Sequence, residues 1–136
     1  MFAKDTPKHI FFGEINEYGA ATGWHYASDA SIKSGNEIIS VIKEADEYGT
    51  IMGKVKIQGI LKEGYSSLFS TKYTPREVAN MIEEAHIGRF KRFTDANGGL
   101  TNRWWGKADN GMTIEMYLDA GGKVITAYPV HSSLIQ

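Results

Sequence analysis

An α+β domain is predicted by three features of this chain: one capped amphipathic helix, one alternating strand before it, and a run of three strands after it. The helix opens at Thr74-Pro75-Arg76-Glu77, a capping box with proline at the first helical position. Val78, Met81, Ile82 and Ala85 follow at i, i+3, i+4 and i+7, which makes one apolar face. Gly88 is placed to end it. The alternating strand is 51–57, with Ile51, Gly53, Val55 and Ile57 on one face and Met52, Lys54 and Lys56 on the other. After the helix, residues 103–107 lead through Asp109-Asn110-Gly111, a hairpin signal, into Met112, Ile114, Met116 and Leu118 alternating with polar neighbours. Asp119-Ala120-Gly121-Gly122 then turns the chain into 123–129, where Val124, Thr126 and Tyr128 share a face at period two. Pro129 stops that ladder.

The other segments are less regular. Residues 1–36 show little periodicity and read as loop-rich, with 29–31 and 34–36 as turn punctuation. Residues 37–45 are short and β-branched, so a strand is expected there, and 46–49 reads as a turn. Residues 90–102 are polar, with a loop at 95–99. At 136 residues the chain is expected to form one domain, 1–136, able to bury about two-thirds of its unfolded surface. No apolar run of ~18 residues and no export signal stand out, so no membrane partner is expected. With no cysteine, disulfides and thiolate metal sites are excluded. A formal net charge of -1 argues against a general nucleic-acid coat protein, so any nucleic-acid substrate must be gripped locally.

Two of the four histidines, His9 and His25, lie sixteen residues apart, each with glycine close by. Histidine's ordinary pKa of ~6.5 lets it give or take a proton near neutrality. Two imidazoles facing each other across a phosphodiester can serve as general base and general acid. Glycines beside them let the backbone turn tightly and leave room for a ligand. Far along the chain, the Thr126 hydroxyl and Tyr128 ring could form a nucleobase site, one reading a base edge and the other offering a stacking surface.

The order His-x-x-x-Gly-Glu at 9–14, Gly-x-His at 23–25, Thr71-Lys72 before a helix and a terminal Thr-x-Tyr-Pro resembles the EndoU-type endoribonucleases. The likeness is greatest to their bacterial toxin branch, whose members end in a strand like Gly-x-Ile-Thr-Ala-Tyr-Pro. Here that strand reads Gly122-Lys123-Val124-Ile125-Thr126-Ala127-Tyr128-Pro129. Trp24 stands where the family usually has a second glycine. The resemblance implies an α+β fold of the BECR ribonuclease type, with two antiparallel sheets meeting at a cleft and helices outside. It also implies cleavage of RNA, tRNA among the candidates, beside uridine to 2′,3′-cyclic phosphate and 5′-hydroxyl ends, with no cofactor or metal. Carried over by position, His25 is the general base, His9 the general acid, and Lys72 the cation that stabilises charge on the phosphate. Thr126 and Tyr128 hold the base and ribose. The toxin branch further implies a cognate immunity protein, and delivery from a secreted or surface parent protein into a target cell's cytoplasm in contact-dependent competition.

Two other classes fit parts of the sequence. The aromatic residues Trp24, Tyr26, Trp104 and Trp105 could form a non-enzymatic binding module. His9, Glu14 and His25 could serve a metal-dependent nuclease, although no compact His-x-x-x-His ligand set is present.

Overall fold

The computed structural model describes residues 1–135. The chain is α+β, with three α-helices and three antiparallel sheets among the described residues. In chain order the elements are α1 Thr6–Phe11, β1 Glu14–Ile15, β2 Ala21–Thr22, α2 Asp29–Lys33, β3 Glu37–Lys43, β4 Ile51–Ile57, β5 Ile60–Leu61 and β6 Ser66–Leu68. There follow α3 Pro75–Ile87, β7 Arg89–Thr94, β8 Leu100–Lys107, β9 Thr113–Leu118, β10 Val124–Pro129 and a 3-10 turn, Ser132–Leu134. Strands β1 and β2 form a small hairpin. One four-stranded sheet runs β10-β9-β8-β7. In the other, β4 pairs with β3 on one side and with β5 and β6 on the other.

Helix α3 forms as its sequence predicts. The Thr74 side chain accepts from Glu77 N–H at 3.1 Å, and Glu77 Oε1 accepts from Thr74 N–H at 2.9 Å. Its apolar face is buried, and Val78, Met81, Ile82 and Ala85 pack with Ile114, Met116 and Ala127 in the main core. Gly106 makes this packing possible, because a Cβ there would lie 1.9 Å from the Ala85 carbonyl oxygen. A second, smaller core of Ala21, Trp24, Val55 and Ile57 lies under the β1–β2 hairpin.

Three expectations change. The N-terminal segment is not all loop: α1 and α2 are short helices, and His9 sits in the last turn of α1. Six residues are too few to show a 3.6-residue period. The C-terminal sheet has four strands rather than three, because Arg89–Thr94 pairs with β8. Its cations stand on both faces and hide the alternation. Finally, a register shift between Val124 and Thr126 breaks the period-two row in β10. Val124 and Ala127 are buried in the core, while Thr126 and Tyr128 turn the other way.

Candidate active site

The two large sheets enclose a cavity of about 580 Å³ lined by residues from the N-terminal segment, β4, the β5–β6 connection, β8, β9 and β10. His9, His25, Thr126 and Tyr128 all line it, and so does Lys62. Lys72 is not among the lining residues. It is exposed beside α3, its Nζ 5.2 Å from the Tyr73 ring centroid.

Backbone hydrogen bonds bring the histidines together. Trp24 N–H donates to the His9 carbonyl at 2.9 Å, and His25 N–H donates to the Ile10 carbonyl at 2.6 Å. On the other side, Phe69 N–H donates to the His25 carbonyl at 2.8 Å. Residues 23–25 therefore run between α1 and β6 like a short extra rung. Gly23 lets them come this close: at φ +80°, a Cβ would meet the His9 carbonyl oxygen at 2.4 Å and the His9 ring at 3.0 Å. Trp24, between Gly23 and His25, takes the left-handed φ of 65°. The cost of that conformation is offset by complete burial of its ring in the smaller core.

The imidazole centroids lie 6.1 Å apart, and their surroundings differ. His9 Nδ1 pairs with Glu14 Oε1 at 2.7 Å in a half-buried setting. This contact orients the ring and leaves Nε2 for other work. His25 is only 4% exposed, and its Nδ1–H donates to the Ser67 carbonyl at 2.8 Å. Burial first, and then the positive charge of Lys62, hold its imidazole well below 6.5; the Ser67 bond opposes this only in part. Lys62 Nζ donates to the Gly23 carbonyl at 2.9 Å and to Ser66 Oγ at 3.1 Å. Burial pushes this ammonium down to about 8.

The opposite wall is built on a buried carboxylate. Glu115 Oε1 accepts from Arg103 Nε at 2.7 Å and Trp105 Nε1 at 2.9 Å, and its Oε2 accepts from the Tyr128 hydroxyl. Burial, and then the bond to Glu115, raise the Tyr128 pKa, so the phenol stays protonated and its ring is fixed. That ring lies 4.9 Å from His25, tilted by 31°. Thr126 Oγ1 is buried with no hydrogen-bond partner among the described residues, an uncommon state for a hydroxyl.

Lys62, Glu115 and Arg103 are cavity residues that patterning does not single out. Lys62 lies in an irregular stretch with no periodicity to mark it. Glu115 stands in the outward register of a strand, where a solvated carboxylate is the ordinary expectation. Among the described residues, no group of three or more His, Cys, Asp or Glu is arranged to hold a metal ion.

The depressed pKa of His25 has a consequence for stability. The unfolded chain binds a proton near 6.5 that the folded chain resists, so this contribution is present above that pH and lost as pH falls. Urea unfolding at a series of pH values below about 6.5 should show stability dropping by up to about 1.4 kcal/mol per pH unit from this group. His25→Gln should flatten the dependence by that amount, and parallel curves would contradict it.

Comparison with known proteins adds to this geometry. The model of a family described as bacterial EndoU nuclease matches residues 3–131. A Bacillus cereus protein named Toxin is 31% identical over 132 residues, covering 94% of this chain and 23% of that protein. The chain thus spans less than a quarter of that relative's length. No solved structure matches it.

Proposed function

The chain belongs to the bacterial EndoU nuclease family, and from that premise we propose that it is a metal-independent endoribonuclease cutting RNA beside uridine. The observation that carries this reading is the pair of imidazoles 6.1 Å apart on one cavity, one buried against a carbonyl and the other paired with a carboxylate.

The buried His25 is neutral at pH 7, with its proton on Nδ1 and a lone pair on Nε2. It takes the proton from the ribose 2′-hydroxyl. The 2′-oxygen bonds to phosphorus, the bond from phosphorus to the 5′-oxygen breaks, and the products are a 2′,3′-cyclic phosphate and a 5′-hydroxyl. His9, its Nδ1 held by Glu14, serves as the acid and gives a proton from Nε2 to the departing 5′-oxygen. One proton enters and one leaves, so no metal or cofactor is required. Lys62, rather than Lys72, supplies the cation for charge gathering on the phosphate, since it shares the cavity with both histidines. Thr126 offers its unpartnered hydroxyl to the base, and Tyr128 offers its ring.

The relative named Toxin supports reading the whole chain, 1–136, as a single toxin domain. On that reading a longer parent protein delivers it to a target cell's cytoplasm, where it cuts tRNA or another cellular RNA. A cognate immunity protein covers the cavity in the producing cell.

A uridine-containing RNA oligonucleotide should be cleaved equally with and without a chelator, and DNA of the same sequence should be left intact. Cleavage of both polymers, or loss of cleavage on chelation, would overturn the proposal.

The base site makes its own prediction. Tyr128→Phe keeps the ring and leaves Glu115 its Arg103 and Trp105 partners, so most activity should remain. Tyr128→Ala removes a stacking surface worth ~1–3 kcal/mol, and kcat/KM should drop by about tenfold to a hundredfold. Equal activity of the Ala variant, or its loss only through unfolding seen by circular dichroism, would make Tyr128 a structural residue.

A further inference from the structure

Strands β7 and β8 together carry Arg89, Lys91, Arg92, Arg103 and Lys107, five of the chain's fifteen Lys and Arg, and no Asp or Glu. In a molecule of formal net charge -1, three of these, Lys91, Arg103 and Lys107, form a positive strip on one face, while Arg89 and Arg92 lie over Trp104 on the other. Pairing register shows where it leads. Tyr128 stands opposite Glu115, Glu115 opposite Trp105, and Trp105 opposite Lys91. A neighbouring row runs Thr126, Tyr117, Arg103. Residues directly opposite one another in antiparallel strands share a face. The face that lines the cavity at β10 therefore continues, unbroken, to the outer edge at β7.

Along this face rings and cations alternate. Lys91 Nζ lies 4.6 Å from the Phe93 centroid and 5.1 Å from Trp105, and Arg103 Cζ lies 3.9 Å from Phe93. The register shift between Arg89 and Lys91 brings Phe90 onto the same face, 6.5 Å from Trp105 and 5.8 Å from Lys107 Nζ. Phe90 is 55% exposed, so its ring is open to a ligand on this face. Glu115, the carboxylate that fixes Tyr128, also fixes Arg103 and Trp105, so the inner end of the strip is oriented before anything binds.

We propose that this strip is a second RNA subsite, holding the single-stranded nucleotides next to the cleaved bond. Their bases stack on Trp105, Phe93 and Phe90, and their phosphates meet Lys91, Arg103 and Lys107. The inference rests on the ribonuclease reading and adds to it a binding surface on β7 and β8, away from the reacting bond. Aromatic rings reach only bases that are unstacked, as in a loop, and cations between rings track the backbone of such a strand. An acidic protein surface would suit the cations as well. The favoured occupant is RNA because the rings lie in one cross-strand row with Tyr128 and lead directly out of the cavity.

The test uses the full chain in a His25→Ala background, which prevents cleavage, and a labelled RNA decamer containing one uridine. Affinity is measured by fluorescence anisotropy across a range of salt. Lys91→Gln with Lys107→Gln should reduce the slope of log affinity against log salt by about 1.4, since each phosphate contact on a single strand contributes ~0.7. Phe90→Ala should weaken binding about fivefold or more. These three side chains lie outside the core, so the fold is not at stake. Unchanged slope and affinity in both variants would overturn the subsite and leave the strip to an acidic protein partner. Cleavage of the same decamer by the unsubstituted chain is scored separately. Its absence would retire the ribonuclease reading, whereas cleavage together with unchanged slope and affinity would retire the subsite alone.

Discussion

Replacing His25 with alanine is expected to lower kcat/KM on uridine-containing RNA by a hundredfold or more, and His9→Ala should do the same. A positioned proton donor or acceptor is typically worth 10²–10⁴ in rate, and the mechanism assigns one to each ring. The pH profile should be asymmetric. On the acid side, activity holds below the ordinary histidine range, because burial and Lys62 keep His25 in its basic form there. On the alkaline side it should decline as His9 gives up the proton it donates, and further from about 8, where Lys62 loses its charge. His25→Ala should erase the acid limb and leave the alkaline one. Single-turnover rates across this range will show it. An acid limb that survives in the His25→Ala chain would assign the base to another group.

The second large effect concerns the cation. Lys62→Met should cost about a hundredfold in kcat with a smaller change in KM, because charge on the phosphate grows mainly in the transition state. The aliphatic stem keeps most of the packing while the ammonium is lost. Lys72→Met should change kcat by less than twofold, since that side chain is exposed and outside the cavity lining. Steady-state kinetics of the two variants side by side decide the matter. A large loss on Lys72→Met with a silent Lys62→Met would contradict the assignment.

Much of this was legible in the sequence where a local rule governs local structure. The Thr74 capping box, the alternation of 51–57 and the turns at 109–111 and 119–122 each depend on near neighbours, and each appears where the pattern puts it. The order of motifs likewise pointed to His9, His25, Thr126 and Tyr128, which line one cavity. What stayed hidden depends on long-range pairing. Lys62 reaches the site because the β5–β6 connection folds back onto Gly23, a contact across 39 positions. Glu115 matters only once β8, β9 and β10 align in register, which sets Arg103, Trp105 and Tyr128 around it. The strand at 89–94 was masked because a row of cations is tolerated on an edge strand with solvent on both sides. Lys72 drew attention through its place before a helix, a linear relation that says nothing about which wall of the cleft it joins.

The central claim is that the ribose 2′-oxygen is the nucleophile, activated by a histidine. It is tested most directly by the masses of the products from two RNA oligonucleotides that differ only at the cleaved uridine, one ribo and one 2′-deoxy. The ribo substrate should yield a 5′ fragment ending in a 2′,3′-cyclic phosphate and a 3′ fragment beginning with a 5′-hydroxyl, and the deoxy substrate should remain whole. Cleavage of the deoxy oligonucleotide at that position, or a product bearing a 5′-phosphate, would contradict the mechanism.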